Sequence, residues 1–152
     1  MLREQFSDAL KTAMKDKNVL GVSTVRLIIA RLKEQDIDAR GRGKPELDDA
    51  AIQQMMQGMI KQRRESIALY EQGKRMDLAD KERGEIAIIE TFLPKQMSDE
   101  EAEAAIKEIV AATGAQSIKD MGKVMAIVKP KLAGRADMTA VSAMVKKALS
   151  GA

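Results

Sequence analysis

Apolar and polar residues alternate with the period of an α-helix along nearly the whole chain. Leu2, Phe6, Leu10 and Met14 recur four apart with Ala9 and Ala13 beside them, which makes one apolar stripe on a helix over residues 2–17. After a break at Asn18 to Gly21, Ser23 caps or enters a second helix whose Val25, Ile28, Ile29 and Leu32 fall at spacings of three and four. The third and longest helix runs from Asp48 to about Gln72 on a seam of Ile52, Met55, Met56, Met59, Ile60, Ile67 and Tyr70, with Gly73 as a left-handed stop. A fourth, capped by Asp77, turns Leu78, Ile86, Ile89, Phe92 and Leu93 inward and stops at Pro94.

The pattern changes character after Pro94. Ser98-Asp-Glu-Glu101 is a capping-box signature: the serine accepts from an early helix amide, Glu101 reaches back, and the acidic first turn suits the helix dipole. It opens a helix carrying Ala102, Ala105, Ile106, Ile109 and Val110, with Gly114 as its stop. Ser117-Ile-Lys-Asp120 repeats the capping pattern before a sixth helix on Met121, Val124, Met125 and Val128. Pro130 predicts an end or kink near Val128 or Lys129, Gly134 a chain reversal, and Asp137 the start of a last helix on Met138, Val141, Met144, Val145 and Leu149. No strand-like alternation persists anywhere. The expected fold class is all-α, with an N-terminal antiparallel helical bundle over residues 1–94 and a small C-terminal helical subdomain over 95–152.

Composition narrows the chemistry. Apolar residues at 45% can build a core, and aromatics at only 2% leave it to Leu, Ile, Val, Ala and 11 Met, a mixture that favours helices. Met at helical spacing in the third helix therefore reads as core before it reads as a pliable peptide groove. A mean hydropathy of -0.28 with 32% charged residues describes a soluble chain. Cysteine and histidine are both absent, which removes disulfides, Ser-His-Asp and Cys-His nucleophilic sites and the common zinc sites together. The phosphate-loop fingerprints are missing too, and paired acids such as Asp48-Asp49 are explained by capping. No catalytic residue, metal or cofactor is expected. The N-terminus has mixed charge and no signal-peptide pattern, and no apolar run approaches a membrane span, so a cytoplasmic location and no membrane partner are expected.

Charge is segregated along the chain. Residues 1–44 carry +4, 45–94 carry −3, 95–118 carry −3, and 119–152 carry +5 from seven cations against two anions. A basic C-terminal part points to a polyanion partner. Arg40-Gly-Arg-Gly-Lys-Pro45 is expected as an exposed connector unable to hold a helix, and Lys61-Gln-Arg-Arg-Glu-Ser66 as a solvated band. The better candidate is Lys119, Lys123, Lys129, Lys131 and Arg135. Gly122 and Gly134 among them would let a sugar-phosphate backbone approach, unless Gly122 serves close helix packing and Gly134 a helix cap.

Those residues carry a family resemblance. Lys119-Asp-Met-Gly-Lys-Val-Met125, Pro130-Lys, Gly134-Arg-Ala-Asp137 and Val141-Ser142 resemble the tail region of the GatB/YqeY family. Upstream, Arg26-Leu-Ile, Glu34 to Arg40, Lys61 to Ser66, Asp77-Leu-Ala, Lys81-Glu82 and Phe92-Leu-Pro94 resemble its freestanding YqeY branch. The resemblance implies two helical subdomains and kinship with the tail of the B subunit of the glutamine-dependent aspartyl/glutamyl-tRNA amidotransferase, a domain that helps hold tRNA. Such families often carry the name carbon–nitrogen ligase with glutamine as amido donor. This chain has no counterpart of that subunit's catalytic portion, so the name describes ancestry or association. The expected function is a non-catalytic tRNA-binding or amidotransferase-associated accessory protein, with Lys119, Gly122, Lys123, Lys129, Lys131, Gly134 and Arg135 as RNA contacts. The alternative is a protein-interaction module that docks a helix in the seam between its lobes or assembles on a synthetase or amidotransferase.

Overall fold

The computed structural model describes residues 1–150, and every regular element among them is helical. Two compact units divide the chain, residues 1–94 and 95–152. The first holds α1 (Leu2–Lys15), α2 (Val19–Gly41), α3 (Asp49–Gln72) and α4 (Met76–Glu90). The second holds α5 (Asp99–Thr113), a 3₁₀ turn (Ile118–Asp120), α6 (Met121–Leu132) and α7 (Met138–Leu149).

In the first unit Phe6, Ile28, Ile52, Met56, Ile60 and Ile89 are the largest fully buried side chains, one or more from each helix. Phe6 meets Phe92 edge to face, ring centroids 4.9 Å apart, a geometry that adds about 1 kcal/mol beyond the area buried. Met55, Met56 and Met59 are all buried, so the methionine-rich stretch is core. The second unit packs Ala102, Ile106 and Ile109 of α5 against Val124, Val128 and Leu132 of α6 and Val141, Val145 and Leu149 of α7.

Several boundaries differ from the sequence expectation, each for a local reason. The second helix begins at Val19, not near Ser23, because Asn18 caps it by accepting from the Gly21 amide at 2.9 Å. Gly21 is no break but a requirement of that cap: a Cβ there would lie 2.7 Å from Asn18 Nδ2 and 3.3 Å from the Ala13 methyl. The same helix runs on through Gly41, and the Arg42 amide bonds back to Asp38 and Ala39 while its guanidinium pairs with Asp38. Only from Arg42 does the basic connector leave the helix, with Gly43 at φ +71°. Gly73 is not left-handed, at φ −80°; Lys74 takes that conformation at φ +58°, one residue later. Asp77 lies inside the first turn of α4, paired with Arg75, which holds the cap position.

Pro130 does not end α6 at Val128 or Lys129, since the helix continues to Leu132. Proline removes one backbone donor there. Val124, Val128 and Leu132 form the buried row of that helix, and carrying it one more turn puts Leu132 at 1% exposure. That burial outweighs one lost hydrogen bond close to a helix end.

Candidate functional site

The basic residues singled out by sequence all lie in the second unit, and the structure divides them. Lys123, Lys129 and Lys131 are exposed on α6, which contains no carboxylate at all, and exposed Lys119 precedes it in the 3₁₀ turn. At 100° per residue, Lys123 and Lys131 stand within one quadrant with Ile127 between them, at spacings of four, about 12 Å end to end. Lys129 emerges on the other flank, about 120° round from Lys123. The carboxylate nearest in sequence, Asp120, is already occupied: it accepts from the amides of Gln116 at 3.0 Å and Ser117 at 3.4 Å. Among the described residues the four lysines have no ion-pair partner within 4.0 Å.

Gly122 is exposed beside them, and a Cβ built on it meets nothing within 4 Å. Close helix packing therefore does not explain this glycine. Gly134 and Arg135 have different surroundings. Gly134 is buried at φ +73° and reverses the chain between α6 and α7, and its carbonyl accepts from Gln96 Nε2 at 2.7 Å. Arg135 is half-buried: its Nε donates to the Lys95 carbonyl at 3.1 Å, and its own carbonyl accepts from the Met97 amide at 2.9 Å. These two clasp the segment that leads into α5. Ser98 then caps that helix, accepting from the Glu101 amide at 3.2 Å, and Gly114 ends it at φ +68°.

Sequence reasoning missed two polar sites in the first unit. Arg63, read as part of a solvated band, is largely buried, and its Nε lies 2.8 Å from Glu85 and 3.8 Å from Glu82. Its Nη1 donates to the Met59 carbonyl at 3.2 Å. Burial, reinforced by the Glu85 charge, pushes the Glu82 carboxyl above its usual range, with Arg63 pulling the other way. The second site is buried Asp36. It takes Arg3 through both carboxylate oxygens at 2.7 and 2.9 Å and also accepts from the Leu47 amide at 3.0 Å. The hydrogen bond from Arg3 holds its carboxyl below the ordinary aspartate range. Both sites tie helix to helix or helix to loop. The signal available was the position of Glu85 and Asp36 within otherwise apolar, core-facing rows.

Among the described residues, no group of three or more His, Cys, Asp or Glu is disposed to hold a metal ion, and no helix is long and apolar enough to cross a membrane. The features that stand out are an all-helical scaffold and an acid-free basic helix.

A family profile described as Yqey-like protein matches residues 3–149, and the chain belongs to that family. Among curated proteins it is similar to several named "Altered inheritance of mitochondria protein 41, mitochondrial". The one from Lachancea thermotolerans is 35% identical over 98 residues, covering 64% of this chain and 51% of that protein. The one from Kluyveromyces lactis is 35% identical over 104 residues, covering 66% and 54%. The one from Eremothecium gossypii is 34% identical over 150 residues, covering 94% and 78%. The matches to the first two span about half the length of those relatives.

These relatives correct the expectation of a cytoplasmic location, because they are named mitochondrial proteins. The physical reason is that the inference rested on residues with another duty. Leu2 and Phe6 form the buried row of α1, so the pattern of that segment answers to the core and carries no information about compartment.

Proposed function

We propose that this protein is a non-catalytic accessory protein that holds RNA by its sugar-phosphate backbone, through the outward side of α6. Its ligand class is tRNA, which follows from the resemblance to the tail domain of the tRNA amidotransferase B subunit. The observation that carries the reading is an acid-free helix with three exposed lysines that have no ion-pair partner among the described residues, preceded by a fourth. Lysines carried on a helix suit phosphates as point charges and give position without base readout. Exposed Gly122 leaves room for a backbone to come close.

Titration of tRNA at several salt concentrations tests this. With four lysines neutralising phosphates on a duplex stem, log K falls against log salt with a slope of about −3 to −4. Lys123→Glu combined with Lys131→Glu weakens binding and leaves the helical melt unchanged, since both side chains are exposed. No binding at low salt, or glutamine-dependent ammonia release by the purified protein, overturns the reading.

A second reading, docking on a synthetase or amidotransferase, draws support from a hollow of about 220 Å³ between α5 and α7, lined by Ile106, Met144 and Ala148 with Glu103, Lys107 and Lys147. A pull-down with and without nuclease separates the two. A partner retained after nuclease treatment favours protein docking.

A further inference from the structure

The outward ridge of α2 carries a pattern that neither the bundle core nor the α6 lysines use. Val19 is 82% exposed, Ile37 59% and Leu27 48%, three branched aliphatics in water on one 23-residue helix. Val19 and Ile37 are eighteen residues apart, five full turns, so they point the same way at either end of a ridge about 27 Å long. Leu27 lies about 80° round from that line, and exposed Arg26 and Lys33 lie within about 40° of it on the other side. Glu34, about 60° round between that line and Leu27, is paired with Arg31 at 2.9 Å, and Asp38, beyond Leu27 at about 100°, with Arg42. Arg26 and Lys33 have no ion-pair partner among the described residues. At the Val19 end the ridge opens into a shallow hollow of about 300 Å³ lined by Lys17, Val19, Val22, Ser23 and Arg26.

Scattered aliphatics on a surface need no explanation, but here Val19 and Ile37 are flanked by the unpartnered cations Arg26 and Lys33, and the one acid between them and Leu27, Glu34, is paired with Arg31. A coiled-coil partner does not fit, because the positions seven and fourteen after Val19 are Arg26 and Lys33, cations where an apolar seam would need aliphatics. A nucleic-acid backbone would engage the cations and leave the aliphatics in water. An anionic lipid surface takes both at once: headgroups meet Arg26, Lys33 and Lys17 while Val19, Leu27 and Ile37 enter the boundary of the acyl layer.

We infer that the outward ridge of α2 is a peripheral docking surface for an anionic lipid bilayer. The helix lies along the interface, and no spanning segment is required. This stands independently of the RNA reading, because it uses the other unit and different residues.

Co-sedimentation of the full chain with vesicles of equal phosphatidylcholine and phosphatidylglycerol, against vesicles of phosphatidylcholine alone, tests it. The chain partitions to the mixed vesicles and not to the neutral ones. Replacing Val19, Leu27 and Ile37 together by Ser lowers partitioning by about tenfold or more, and Arg26→Gln with Lys33→Gln lowers it several-fold. Both variants touch only exposed side chains, and an unchanged helical melt verifies their fold. Lys123→Glu with Lys131→Glu leaves vesicle binding in place, and the serine variant leaves tRNA binding in place, so the two readings fail separately. Equal binding to both vesicle types, binding that survives the serine variant, or a lipid-free dimer abolished by that variant overturns the inference.

Discussion

Thr24 carries a side chain that works against its surroundings. It is fully buried on α2, and among the described residues its Oγ1 is the only buried side-chain polar atom with no hydrogen-bond partner. Thr24→Val keeps the shape and removes the stranded hydroxyl, so chemical denaturation gives a gain of about 1 kcal/mol. Asp36 is the opposite case, a buried carboxylate with every bond made. Its pKa is depressed in the folded state, so the stability it contributes is present above the unfolded value of about 4 and is lost as pH falls through the lower folded value. Melts recorded from neutral pH downward show that loss for the native chain, and a shallower acid limb for Asp36→Asn. Glu82 has the reverse sign, a raised value that favours the folded state as pH falls, and so offsets part of the loss. Neither Thr24 nor Asp36 was legible in sequence, because a polar residue in an apolar row declares burial only when its partners are known. For Asp36 those partners, Arg3 and Leu47, are 33 and 11 residues away.

Helix type and most inward rows were legible at the level of elements, since a 3.6-residue period sustained over many turns has few other meanings; Met14, placed in the first stripe, is 53% exposed at the end of α1. The ends were not. Asn18 caps α2 across a glycine that looks like a break, and Pro130 sits inside α6 because Leu132 needs one more turn to reach the core. In the first case a local side-chain cap overrides the glycine, and in the second tertiary burial overrides the proline. The pairing of α3 with α4 shows the same limit. Arg63 looked like surface until Glu85 came within 2.8 Å of its Nε. Removing one partner strands the other in a largely buried place, so Arg63→Ala costs about 2–4 kcal/mol. Replacing the pair by Arg63→Met with Glu85→Leu recovers most of that. A double-mutant cycle by urea denaturation measures the coupling, and additive losses would mean that the bridge holds nothing together.

The whole molecule keeps two hydrophobic cores that share no residue, one built by α1 to α4 and one by α5 to α7. The charge segregation legible in sequence falls inside the units and not between them: residues 1–94 sum to +1 and 95–152 to +2, and in the second unit the acids gather on α5 while most of the cations lie from position 119 onward. What the charge count did not reveal is that Arg135 is spent on clasping Lys95, since composition cannot distinguish a free cation from one bound to a carbonyl. Separate cores have a mechanical consequence. A second unit of about 60 residues is small enough to be marginal by itself, so it should open more readily than the first. Val128→Ala, at a fully buried position of α6, costs about 1–3 kcal/mol in that core. Amide hydrogen exchange then speeds throughout α5 to α7 and stays unchanged in α1 to α4. Ile28→Ala, equally buried in the other core, does the reverse. If either substitution speeds exchange in both sets of helices alike, the chain unfolds as one cooperative body and the two cores are energetically one. If the sets respond separately, α6, the helix proposed to hold RNA, rides on the less stable unit, where a bound ligand raises local stability. Added tRNA then slows exchange in α6 before it affects α3, an order that only separate cores produce.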